Sequence, residues 1–247
     1  MTNPLSSQET QRYARHLVLP EIGGAGQQKL KSASVLMLGA GGLGAPALQY
    51  LAAAGVGELT IVDDDVVSLS NLQRQVIHTT ESVGKAKVES AAAAIENINP
   101  HVKVKPVKSR LTAENASSLI SGHSVVIDGS DNFATRYLLA DTCEQLEVPL
   151  ITAAVNRFDG SITTLMPWMN DNPGYRDLFP NQPDEGLLPS CAEAGVMGAT
   201  TGLMGTLQAL EAIKLVTGAG ETLIGKLLMV DGLSLRFETI QYKRRNA

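Results

Sequence analysis

Residues 34–65 read SVLMLGAGGLGAPALQYLAAAGVGELTIVDDD, and this stretch decides the fold. SVLML is a short run, apolar after its first residue, of the kind that a strand buried on both faces requires. It gives way to GAGGLG, with Gly39, Gly41 and Gly44 in GxGxxG spacing, and then to helix formers that stop at Gly55. ELTIVD is a second strand, closed by Asp63. A strand, a glycine turn opening a helix, and a carboxylate ending the next strand about 20 residues on is the context in which this spacing binds a nucleotide. Glycine lets the backbone turn sharply and approach a ligand, and a helix N-terminus favours anions. Asp63 is placed to accept hydrogen bonds from ribose hydroxyls.

Working outward, Ser6 and Glu9 have capping-box spacing, which predicts an N-terminal helix over 6–18, before Pro20. Downstream, VGKAKVESAAAAIENINP, TAENASSLI and NFATRYLLADTCEQL read as helices, and VKVKPV, SVVIDGS and PLITAAV as strands. This alternation predicts an α/β fold: a Rossmann-like, mostly parallel sheet with helices on both faces over a nucleotide-binding core at 33–155. GSITTLMP is a further strand, and residues 168–190 are an irregular crossing segment rich in Pro, Asn, Asp and Gly. A long helix from about Glu193 to Thr217 and an antiparallel strand pair turning near Asp231 and Gly232 complete a single expected domain, 1–247, with the C-terminal part at 193–242. GETLIGKL, residues 220–227, has GxxxxGK spacing, but Leu227 replaces the Ser or Thr that touches magnesium and a strand follows, so it reads as a loop.

Bulk properties narrow the function. A formal charge of −5 and a pI near 5.4 argue against nucleic acid or an anionic membrane as partner. The most apolar long stretch, Ala194 to Val216, contains Gln208, Glu211 and Lys214, which suits a buried helix and not a membrane span. The N-terminus lacks the apolar run of a signal peptide, and two cysteines, Cys143 and Cys191, build neither a disulfide framework nor a four-cysteine zinc site; a reducing, cytoplasmic setting is expected.

Residues 63–77, DDDVVSLSNLQRQVI, place Asn71 and Arg74 just beyond the acidic strand end, and Lys87 opens the next helix. Two cations near a nucleotide can neutralise a triphosphate and the charge that develops as its α-phosphate is attacked. DGSDN supplies Asp128, Asp131 and Asn132 at the carboxyl edge of the sheet, where open α/β sheets bind ligands. A carboxylate there suits magnesium; capping of the following helix by Asp131 is the other reading, and the two are compatible. His16, His78, His101 and His123 occupy no obvious active-site context and read as surface or helix-end residues.

RYARHLVLPEIG, the glycine-loop stretch through DDD, SLSNLQRQ, VGKAKVESA, DGSDNFATRY and CAEAGVMGATTGLMGTLQALEAIKL, in this order over nearly the whole chain, closely resemble the MoeB/ThiF/HesA family of bacterial relatives of ubiquitin-activating enzymes. The resemblance implies ATP-dependent adenylation of the C-terminal glycine of a ubiquitin-like sulfur-carrier protein ending in Gly-Gly, with release of pyrophosphate, in molybdopterin, thiamine or related sulfur-transfer biosynthesis. It implies that Gly42 and Asp63 contact the nucleotide, that Asn71, Arg74 and Lys87 handle phosphates and that Asp131 handles Mg2+. The expected nucleotide set is then Gly39, Gly41, Gly42, Gly44, Asp63, Asp65, Ser70, Asn71, Arg74, Lys87, Asp131 and Asn132. The family forms homodimers in which an N-terminal arginine reaches the neighbour's ATP, a role that falls on Arg15 ahead of Arg12. Two other classes stay open: a nicotinamide-dependent oxidoreductase and a noncatalytic scaffold of the same fold.

Departures from the family pattern carry their own expectations. Where many members have CxxC pairs for zinc, this chain has GYRDLFP, with Gly174 and Asp177 in place of thiols, and it closes on YKRRNA without a second pair, so no zinc is expected. Cys191, in LPSCAEAGV, occupies the position that in some members takes part in sulfur transfer or covalent capture of the carrier and in others is dispensable. Cys143 lies in an apolar helical pattern and reads as buried and structural. No rhodanese-like extension is read, so a separate protein is expected as sulfur donor. GATTG, from Gly198 to Gly202, with Gly205, is read as core or dimer packing.

Overall fold

The computed structural model describes residues 4–182 and 195–245. Its framework is one eight-stranded sheet in the order β3-β2-β1-β4-β5-β6-β7-β8. The strands β1 (Ser34–Leu38), β2 (Glu58–Val62), β3 (Lys103–Val107), β4 (Val125–Asp128) and β5 (Leu150–Asn156) are parallel, and β6 (Asp159–Leu165), β7 (Lys226–Asp231) and β8 (Arg236–Gln241) extend the sheet antiparallel.

Side chains alternate across each strand, so β1 feeds both cores: Val35 and Met37 point to one, Leu36 and Leu38 to the other. The first core is covered by α3 (Gly23–Ser32), α4 (Gly44–Ala54), α5 (Lys87–Ile98) and the long α9 (Gly198–Thr217), through residues such as Leu30, Leu48, Ile95 and Met204. The second is covered by α6 (Ala116–Ile120), α7 (Phe133–Gln145) and α8 (Tyr175–Leu178), through Ile120, Leu139 and Tyr175. This is the two-faced α/β arrangement predicted by the strand–helix alternation. Among the described residues no helix is long and apolar enough to cross a membrane. The polar residues of α9 are used inside the protein: buried Gln208 donates to the Asp128 carbonyl at 2.7 Å, and buried Glu211 accepts from Thr164 and from the Leu223 amide while pairing with Lys214.

Several boundaries differ from the sequence reading. The capping box of Ser6 and Glu9 forms, but the N-terminal helix is two short pieces, α1 (Ser7–Arg12) and α2 (Ala14–Leu17), broken where Tyr13 turns inward and its hydroxyl accepts from Asn99 at 2.8 Å. Helix α3 was absent from the expected elements, because its start, IGGAG, carries the glycines of a turn; burial of Gln27 and Leu30 overrides that weak propensity. Helix α9 begins at Gly198, and Glu193 lies outside the described residues. The turn between β7 and β8 is held by Asp231, which accepts from the amides of Leu233 and Ser234. GETLIGKL is a loop running into β7, with Lys226 paired to Glu221 at 2.9 Å.

Candidate active site

A cavity of about 300 Å³ opens at the carboxyl ends of β1, β2 and β4, where the strand order switches direction. Gly39, Gly41, Gly42, Asp63, Asp65, Arg74, Lys87, Asp131 and Asn132 all line it. The glycine turn is set by its backbone. Gly39 has φ +91°, a left-handed conformation that a side chain disfavours, and a Cβ on Gly44 would collide with the Gly39 carbonyl. Gly44 is therefore the residue that lets α4 pack closely on the turn, and it does not line the cavity. Asp63 braces the same turn: one carboxylate oxygen accepts from the Ala40 amide at 2.8 Å and the other from the Asp65 amide at 2.9 Å.

The cations reach the cavity from two directions. Lys87 is the first residue of α5, and its nearly buried ammonium pairs with the exposed Asp65 carboxylate at 2.8 Å. Arg74 follows a 3-10 turn (Leu69–Asn71) and donates to the Ser70 carbonyl at 3.2 Å. Asn71 caps that turn by accepting from the Ser68 amide at 3.2 Å, so Asn71 and Ser70 support the Arg74 segment from outside the lining. Arg15 is exposed on α2 and does not line the cavity of its own chain, whereas Arg12 is engaged with the Ile98 carbonyl at 2.9 Å.

On the opposite wall, Asn132 caps α7 by accepting from the Thr135 amide at 2.9 Å. The cap that was the alternative reading of Asp131 thus belongs to its neighbour, and no hydrogen bond or ion pair engages the Asp131 carboxylate among the described residues. Below it, fully buried Asp128 accepts from the Ser130 amide and hydroxyl at 2.8 and 2.6 Å and from Thr152 at 2.7 Å. Arg136 donates to the Ser130 carbonyl at 3.0 Å and lies 3.7 Å from Asp128. These bonds fix the 129–131 loop and hence Asp131. Arg110, Gln75, Thr135, Arg136 and Thr201 also line the cavity and were not singled out from sequence. With Asn132 taken as the cap, Thr135 and Arg136 fall in the first turn of α7, beside the strand end, and that spacing was available as a signal.

The donor chemistry fits a nucleoside polyphosphate with a hard divalent cation. Backbone amides at the turn and the side chains of Arg74 and Lys87 offer positive charge, and Asp131 offers a carboxylate of the kind that holds Mg2+ together with substrate phosphates. Asp63, Asp64 and Asp65 also place carboxylate oxygens within 4.8 Å of one another, but Asp63 is committed to two amides and Asp65 to Lys87.

Of the other residues singled out, Cys191 lies outside the described residues. Cys143 is buried, and burial pushes its thiol pKa up. His78 departs from its expected surface position: it is 5% exposed, with both ring nitrogens bonded. His123 is half-buried and bonded to the Ile120 carbonyl and to Thr60. At the GYRDLFP position, Asp177 accepts from the Gly174 amide at 2.7 Å and from the Arg245 amide at 2.7 Å, tying the crossing segment to the C-terminal part.

Comparison with known proteins places these features in a family. Residues 13–247 match the model of the ThiF family. The chain is 50% identical to the SAMP-activating enzyme E1 of Haloferax volcanii, over 98% of this chain and 89% of that one. It is 45% identical to the sulfur carrier protein adenylyltransferase of Thermus thermophilus, over 97% and 89%. It spans only 52–62% of the length of several other curated relatives. In fold it is similar to the crystal structure of E. coli MccB with ATP, at TM-score 0.83 and 20% identity, covering 99% of this chain and 75% of that one.

Proposed function

The chain belongs to the ThiF family, and from that premise we propose that it is an adenylyltransferase that uses ATP to activate the C-terminal glycine of a ubiquitin-like sulfur-carrier protein. The observation that carries this reading is the convergence of Arg74, Lys87 and Asp131 on one cavity beside the glycine turn.

In the proposed reaction a carboxylate oxygen of the carrier's terminal glycine attacks the α-phosphorus. The new P–O bond gives an acyl adenylate, and the bond to the β-phosphate breaks to release pyrophosphate. The substrate supplies the nucleophile, so the protein's work is alignment and charge neutralisation. Asp63, which braces the turn, serves the ribose end, and the amides of the turn, Arg74 and Lys87 face the phosphates. To engage a phosphate, Lys87 exchanges or shares its contact with Asp65. Asp131 would hold Mg2+, which supplies further neutralisation of the phosphate oxygens.

Arg15 is assigned to a second copy's site: it is exposed on α2, away from its own chain's cavity, while Arg12 is committed to Ile98. A homodimer is the corresponding assembly, and no zinc is assigned to the crossing segment, where Gly174 and Asp177 stand. Cys191 is the candidate thiol for any covalent carrier adduct. A nicotinamide oxidoreductase is the weaker reading, because none of the four histidines lines the cavity to act as acid or base. The decisive experiment incubates the protein with Mg-ATP and carriers ending in Gly-Gly and looks by mass spectrometry for the acyl adenylate or a carrier–enzyme adduct. Carrier-dependent ATP–pyrophosphate exchange is the expected companion result; tight NADH binding without ATP binding would reverse the reading, and neither activity would leave a scaffold.

A further inference from the structure

Ala40 sits between the first two glycines of the turn, and both peptide groups flanking it are held. Its N–H donates to Asp63 at 2.8 Å, and its carbonyl lies 2.9 Å from Nε2 of His78. The other ring nitrogen of His78, Nδ1, lies 2.9 Å from the Ser90 hydroxyl. A carbonyl only accepts, so Nε2 carries the proton; burial keeps the imidazole neutral, which leaves Nδ1 to accept from Ser90. The charged neighbours act in opposite directions, with Lys87 disfavouring the imidazolium and Asp63 favouring it, and burial outweighs both.

We propose that His78 is a positioning residue of the nucleotide site, one that locks the glycine turn to the helix that begins with Lys87. Two geometric facts carry this. In a trans peptide the C=O and the following N–H point in opposite directions. Drawing the Ala40 carbonyl inward to His78 therefore directs the Gly41 N–H outward, and Gly41 lines the cavity. Ser90 and Lys87 are three residues apart on α5, neighbours on one helix face. One buried ring thus ties the backbone donor of the turn to the helix carrying the ammonium, so that both keep one spacing with respect to a bound phosphate chain.

The inference rests on the ATP reading, and the experiment separates the two. ATP affinity by calorimetry and the KM values for ATP and carrier in pyrophosphate exchange are measured for wild type, His78→Leu, His78→Gln and Ser90→Ala. Leucine fills space but leaves the Ala40 carbonyl without a donor, so the KM for ATP should rise by about tenfold or more while the KM for carrier moves less than about twofold. Glutamine can donate to Ala40 and should recover most of that loss, which a packing role would not allow. Ser90→Ala frees one side of the ring and should raise the KM for ATP by about threefold, a readout that stands even where His78→Leu fails to fold. Wild-type ATP affinity in folded His78→Leu, no rescue by glutamine, or an unchanged KM in Ser90→Ala would each overturn the proposal. Failure of the wild type to bind ATP would instead overturn the function on which it stands.

Discussion

Strands β1, β2 and β4 bury nearly every side chain, whereas β8, at the antiparallel edge, leaves all six residues exposed. Both regions belong to one hydrogen-bonded sheet, so the difference lies in what covers them. Those three parallel strands are sandwiched between two helical layers, and their carboxyl ends emerge from that dry core as walls of the cavity. The strand ends that line the cavity are thus supported on the part of the molecule least able to shift.

Four measurements would break or sharpen this contrast. The largest effect belongs to the cavity: Arg74→Ala, Lys87→Ala or Asp131→Ala should each lower kcat/KM for carrier-dependent pyrophosphate exchange by about 10²-fold or more, with circular dichroism unchanged. Wild-type exchange in any one of them would remove that residue from the site. Next, Ile127→Ala in β4, fully buried, should destabilise by about 2–5 kcal/mol in urea unfolding. Ile240→Ala in β8, 43% exposed, should cost less than about 1 kcal/mol. Equal losses would show that the edge hairpin is as integral as the centre.

Smaller still, Asp177→Ala should cost about 1 kcal/mol and speed amide exchange at Gly174 and Arg245 selectively. Uniform acceleration across the protein would mean that the contact supports the whole fold. The smallest effect concerns Glu58 at the base of β2, whose carboxyl is lowered from 4.5 to about 2 by hydrogen bonds from Lys105 and then Lys103. A depressed carboxyl contributes stability that is complete above pH 4.5 and lost as pH falls toward 2. Because the lysines are exposed, that contribution is below about 1 kcal/mol, and Glu58→Gln should flatten the melting temperature between those pH values.

The sequence made the parallel half legible because its signals are local. SVLML, ELTIV and VVI are mostly apolar runs that end at Gly39, Asp63 and Asp128, and GAGGLG dictates both a turn and a helix start. The convergence of Arg74, Lys87 and Asp131 was foreseeable only through their order along the chain, since nothing local says that residues 57 positions apart, 74 and 131, share a cavity. His78 was opaque for the same reason: its partners, Ala40 and Ser90, come from elements distant in sequence, and an isolated histidine carries no periodic signature. The α3 error has another origin, a conflict between weak helix propensity and the tertiary burial that outweighs it. Of the two compatible readings of Asp131, the capping one falls one residue short, because Asn132 makes the cap, and this leaves the Asp131 carboxylate to the other reading.

The two hydrogen bonds that Asp177 accepts from the amides of Gly174 and Arg245 fasten two distant stretches of chain without a thiolate. A strap built this way is indifferent to peroxide, to thiol exchange and to chelators, the agents that undo a cysteine-bound metal clasp. It yields to whatever competes for the carboxylate, water and denaturant included, so its closure follows the stability of the fold around it.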